Sequence, residues 1–337
     1  MWLPSWFPPP RVLVTAVVAL LVLSACGAGT DNPQPAAPGD GVFPVAVTQK
    51  FGTTAITERP QRVVSFGYTD QDAILALGGV PVAIREFTGQ QPSATWPWAQ
   101  DRLQGQRPQV LPVGEVSTEA IAALRPDLIV AISAGLTREQ YDTYSRIAPV
   151  LAAPAQYVDY GTPWQDATRM TGTALGRAPE AEKLVTDLEA RFAAARAQYP
   201  ALAGKTVAGA RPSSADTANY FVWGSQDLRA RFFSSLGMTV PPDVDRLAGN
   251  AFYATISTEE LSRFDTADLV VLITASAQER ASFEALPGYS SLRVVRDGKV
   301  LVPDDRRSAA LSFSSVLSLP ELLDTMPAEL AKAVATP

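Results

Sequence analysis

The chain has 337 residues, a formal net charge of −6 at neutral pH, a single cysteine and no histidine. Without histidine, Ser–His and Cys–His nucleophilic catalysis and the usual zinc and copper ligand sets are gone, which removes most hydrolase chemistries. The acidic balance argues against nucleic acid as a partner.

Read in chain order, Arg11 precedes the apolar run VLVTAVVALLVL, and Ser24 and Ala25 follow it. A charged start, a short apolar middle and small residues at a cut site make a secretory signal. A membrane-spanning helix wants about 20 apolar residues, more than this run supplies. Leu23-Ser24-Ala25-Cys26 resembles the lipobox of bacterial lipoproteins. The resemblance implies a signal peptide over 1–25, cleavage before Cys26, and lipid on its sulfur. The competing reading is an uncleaved helical anchor with an incidental buried cysteine. Each buried methylene contributes roughly 0.8 kcal/mol, and the two or three chains typical of such lipoproteins would hold the protein stably on the extracytoplasmic face of the cell membrane. Residues 26–41, GAGTDNPQPAAPGDG included, are too poor in apolar side chains to fold and read as a flexible tether. Roughly 290 residues remain, enough for two α/β lobes.

The first lobe, 42–178, alternates strand and helix signals. RVVSFG (62–67) is β-rich, and DQDAILALGG is helical up to its two glycines. PVAI (81–84) and VLPVG (110–114) are further strands. TEAIAALRPDLIVAIS holds a short helix, a break at Pro126 and an apolar strand, and TREQYDTYSRIAPV supplies another helix. Such alternation implies βα units and a mainly parallel sheet. Over 179–200 the pattern changes: Leu184, Leu188, Phe192, Ala195 and Tyr199 recur at spacings of three and four. That is one amphipathic helix of about 31 Å, with Pro179 in its first turn and Pro200 beyond its end. The second lobe, 201–337, restarts the alternation with TVAGAR (206–211), YFVW (220–223), DLRARFFSSLG, STEELSRF, DLVVLIT (268–274) and KVLVP (299–303). PELLDTMPAELAKAV reads as the last helix.

STEAIAALRPDLIVAI at 117–132 and STEELSRFDTADLVVLI at 257–273 share a phrase order: Ser-Thr-Glu opening a helix, a break before Asp, then a buried strand. Ser117 and Ser257 are N-cap candidates, and Glu119 and Glu259 fall in first turns, where the helix dipole favours negative charge.

These phrases in this order, together with FGTTAITERPQRVVSFG, ALGGVPVA, RIAPVL, TGTALGR, SLRVVRDGKVLVPDD and ALSFSSVLSLPELLD, resemble the substrate-binding lipoproteins of iron–siderophore ABC importers. The likeness runs from about Phe51 to Leu330 and implies a class III periplasmic binding protein fold, two Rossmann-like α/β lobes joined by one long backbone helix. It further implies a monomeric, non-enzymatic receptor for a ferric siderophore. In relatives one glutamate on each lobe meets arginine pockets on the permease subunits; by alignment these are Glu119 and Glu259.

Loops after strands around a cleft are where ligand residues sit. They offer Tyr68 with Thr69, and Arg85, in the first half; Arg211, Trp223, Arg306 and Arg307 come from the second. Tyr253 falls where relatives place an aromatic, and ATWPWAQ adds Trp98 beside Trp96, whereas Trp164 reads as core. A ferric siderophore presents oxygens and flat chelating rings. Arginine forks suit the first and aromatic faces the second, with no protein–iron bond required.

Haem or cobalamin is the rival cargo; haem would need a tyrosine or methionine ligand, with Tyr157, Tyr160 and Tyr253 available. A carboxylate-dependent enzyme using Asp304 and Asp305, or an adhesion or scaffold lipoprotein, are readings of other classes.

Overall fold

The computed structural model describes residues 42–213, 216 and 218–335; the signal, Cys26 and the tether lie outside the described residues. Among the described residues twelve strands form three sheets. They are β1 (Val45–Gln49), β2 (Gly52–Ile56), β3 (Val63–Ser65), β4 (Ala83–Arg85), β5 (Gln109–Leu111), β6 (Leu128–Ala131), β7 (Val150–Ala152), β8 (Val207–Pro212), β9 (Asn219–Trp223), β10 (Tyr253–Ser257), β11 (Leu269–Leu272) and β12 (Val300–Leu301).

β3 to β7 make one parallel sheet in the order β5-β4-β3-β6-β7. Its strands are short apolar runs because helices cover both faces. Alternate residues feed opposite cores: Val64, Ile129 and Val150 one side, Val63, Val130 and Leu151 the other. A second sheet, β10-β9-β8-β11-β12, follows the same rule, with Val207, Trp223 and Val271 on one face and Ala208, Val222 and Val270 on the other.

Between them runs the helix Ala178–Gln198, close to the expected bounds, with Pro179 in its first turn. It buries Ala181, Val185, Leu188, Phe192 and Ala195, while Leu184 is only partly covered, so the apolar stripe sits slightly rotated from the anticipated one.

Four features depart from the sequence reading. β1 and β2 form an antiparallel hairpin that the strand signals did not reveal. In the second sheet β9 runs antiparallel to β8 and β10; residues 213–218 are too few for a crossover, so only a hairpin can join β8 to β9. The helix expected at STEELSRF is a 3₁₀ segment, Thr258–Thr266. The last helix is two, Leu319–Leu323 and Met326–Ala335.

The C-terminal segment ties the halves together. Asp72, in the first helix (Asp70–Ala76), accepts a hydrogen bond from Trp98 Nε1 at 2.9 Å and a short one from Ser315 Oγ, both on Oδ2. Phe313 packs against Phe87 and Trp98 with ring centroids 5.5 and 5.3 Å apart.

Candidate functional site

The carboxyl ends of the parallel strands of both sheets carry loops that line two adjoining cavities. The first, about 440 Å³, lies on the N-terminal lobe and is walled by Phe66, Tyr68, Arg85, Tyr144 and Tyr160 among others. The second, about 430 Å³, lies between lobes, with Thr88 and Trp96 on one side and Arg211, Thr274, Arg306 and Ser312 on the other. Phe87 stands between them: its ring is 5.2 Å from Tyr68 and 5.5 Å from Phe313.

In the first cavity β4 ends at Arg85, whose guanidinium carbon sits 4.4 Å from the Tyr68 ring centroid and 4.9 Å from that of Phe66. Its Nη2 donates to the Gly114 carbonyl, and its Nε is buried with no partner. The negative faces of the two rings attract the guanidinium without an acidic side chain paired to it among the described residues. Tyr160 also lines this cavity. Its backbone is left-handed, with φ 66°, and its ring lies against Gly135, where a Cβ would fall 2.5 Å from the ring. Glycine at 135 is therefore required for Tyr160 to reach its place. Tyr160 also meets Tyr68 (6.3 Å) and Phe252 of the second lobe (6.5 Å), bridging the cleft. Burial raises the hydroxyl pKa of both Tyr144 and Tyr160, so each stays a neutral donor.

In the second cavity Arg211 follows Val207 and Gly209 on the same face of β8, past the end of the packed core. Its register partner is Phe221, whose ring lies 4.7 Å from that of Tyr253, which is 44% exposed. Trp96 is held by donation of its Nε1 to the Thr88 carbonyl at 3.0 Å and stacks on Trp98 at 5.3 Å. Arg306 reaches the cavity but is paired with Glu321 at 2.7 Å.

The cleft thus brings together Tyr68, Arg85, Arg211 and Arg306, with Tyr253 on its rim. Three other expected residues are spent elsewhere. Trp223 is 1% exposed: its ring fills the space over Gly209, where a Cβ would fall 1.7 Å from it, and stacks on Phe233. Strand alternation put it on the right face, but one register step into the core. Trp98 belongs to the seam between the lobes, bonded to Asp72. Arg307 is tied to Asp304 at 3.0 Å and to both oxygens of Glu329 at 2.6 and 2.7 Å.

Among the rival haem ligands, Tyr157 donates to Asp166 at 2.7 Å and lines a separate groove beside the long helix. Asp304 caps the helix Asp305–Phe313, a structural duty. Phe87, Phe221 and Phe252 are cleft residues that the loop reading missed. Phe87 lies two positions past Arg85 and Phe252 one before Tyr253, so a wider window around each polar candidate would have found both.

Glu119 and Glu259 are exposed at the second positions of their helical segments. Ser117 Oγ accepts from Ala120 N, and Ser257 Oγ accepts from Glu259 N. Asp243 and Glu260 stand beside Glu259 in one shallow surface pocket. Among the described residues no helix is long and apolar enough to cross a membrane.

This architecture is shared with known proteins. A periplasmic solute binding protein from Mycobacterium smegmatis is 32% identical and superposes with a TM-score of 0.77 over 87% of this chain and 99% of that one. PiaA from Streptococcus pneumoniae, solved in complex with ferrichrome, is 26% identical with a TM-score of 0.74, covering 87% and 99%. The ferric enterobactin-binding periplasmic protein FepB of Escherichia coli is 28% identical over 207 residues, 59% of this chain and 62% of its own length. The chain thus aligns with somewhat under two thirds of that curated relative. The periplasmic binding protein profile matches residues 64–306, and the chain belongs to that family.

Proposed function

We propose that this protein captures a ferric siderophore between its lobes and delivers it to an ABC importer. The observation that carries the reading is the cleft itself. Guanidinium groups and aromatic rings from both lobes converge at the carboxyl ends of the two sheets, the donor types that an oxygen-rich chelate with flat rings demands. Relatives named for ferric enterobactin and solved with ferrichrome support that cargo class. In this reading the protein binds and releases as a monomer, without a chemical step. It is tethered through residues 26–41 to lipid on Cys26, outside the cell membrane. Lobes 42–178 and 201–337 close on the chelate, and Glu119 and Glu259 engage basic pockets on two permease subunits. Titrating the protein with iron-loaded and iron-free chelators while following its tryptophan emission tests the cargo. Saturable quenching by ferric complexes alone is expected; quenching by haem alone, or by none, would overturn it.

A further inference from the structure

Three arginines line the two cavities, and their partners differ. Arg306 is matched by Glu321 at 2.7 Å. Among the described residues Arg85 has no paired carboxylate: a carbonyl and two rings hold it, and its Nε is buried without a partner. Arg211 is half-buried on the opposite lobe and has neither an ion pair nor a side-chain hydrogen bond among the described residues. Two carboxylates share these cavities, Asp305 and Glu115, but both are exposed, where water screens them. Glu86, next to Arg85 in the chain, is engaged by the backbone amides of Phe87 and Gln90.

A cation drawn partly out of water without a counter-charge is costly, and a ligand bearing that charge relieves the cost. Here the uncompensated cations stand one on each wall. A neutral chelate would leave both unmatched when the lobes close over it. An anionic chelate would satisfy both at once and pull the lobes together.

Resting on the siderophore reading above, we propose that the cleft selects ferric chelates of net negative charge, and that Arg211 sets this preference. The ligand class is a tris-catecholate or polycarboxylate iron complex rather than a neutral or cationic trihydroxamate. Arg85, already fixed by its rings, orients the chelate; Arg211, free to swing, reports its charge.

The test measures affinities of the full chain for four iron complexes: the tris-catecholate trianion of enterobactin, ferric citrate, neutral ferrichrome and cationic ferrioxamine B. An anionic complex should bind at least about tenfold tighter than the neutral and cationic ones. Arg211→Gln should shrink that ratio about 10–100-fold, the span of one charge-assisted contact, while Arg211→Lys keeps most of it. Equal or tighter binding of ferrichrome or ferrioxamine B by the unmodified protein would overturn charge selection and leave the siderophore reading standing. An unchanged ratio in a folded Arg211→Gln would remove Arg211 from the role. Binding of no iron complex would sink both.

Discussion

Arg85 and Arg211 each lie near the carboxyl end of a parallel strand and line a cavity of the cleft, yet the two lobes treat them differently. On the N-terminal side the sheet is wholly parallel, and Arg85 is sandwiched between Phe66 and Tyr68 and is 7% exposed. On the C-terminal side β9 folds back antiparallel and turns Phe221 toward the cleft beside Arg211, which remains unclamped. The buried acids show the same contrast. Asp227 in the second lobe has Arg229 at 2.6 Å. Asp70 and Asp72 in the first lobe have no cation partner among the described residues; hydroxyl, amide and indole donors hold them instead. One lobe holds its cleft arginine between two rings; the other leaves its arginine without an ion pair among the described residues.

The Ser-Thr-Glu phrases are the point at which the lobes resemble each other most, and reversing their charges sharpens the comparison with the largest effect. Glu119→Arg or Glu259→Arg should abolish chelate uptake by cells while leaving chelate affinity unchanged in the purified protein. Because Glu259 has Asp243 and Glu260 beside it, mere neutralisation should cost less there, with Glu259→Gln lowering uptake less than Glu119→Gln. Parallel loss of affinity and uptake would contradict the docking assignment.

A smaller effect separates the buried acids. Burial raises Asp70 and Asp72 from 3.8 to about 6, partly offset by their hydrogen bonds. Their folded-state values exceed the unfolded ones, so the native state binds more protons between about pH 4 and 6. Stability contributed by these groups therefore grows as pH falls through 6 and is lost as it rises. Asp72 should account for on the order of 1–3 kcal/mol of that slope. Asp72→Asn should flatten it in melts recorded from pH 7.5 to 5. Burial raises the Asp227 carboxyl as well, against the opposing pull of Arg229. Identical slopes with and without Asp72 would show that the seam does not sense protons.

Much of the fold was legible because continuous apolar, β-rich runs and the long three-four repeat are local signals. The helix Ala178–Gln198 and the strands LIVA and LVVL stand where their patterns put them. Strand direction was not legible, since it depends on how few residues join β8 to β9. The site was partly readable. Loop position picked out Tyr68, Arg85, Arg211 and Arg306, four residues that line the two cavities. It could not tell that Trp223 lies over Gly209 or that Arg307 is consumed by Glu329, because both depend on partners distant in sequence or across the sheet. Tyr160 needed the same long-range information, namely the bare Cα of Gly135.

The most direct test is diffraction from crystals grown with an anionic ferric chelate, using iron's anomalous signal to locate the metal. A single iron peak between the Arg85–Tyr68 wall and the Arg211–Thr274 wall is predicted, with chelate oxygens reaching both guanidinium groups. Iron in the groove of Arg169 and Arg231 beside the long helix, or contacts confined to one lobe, would contradict the account.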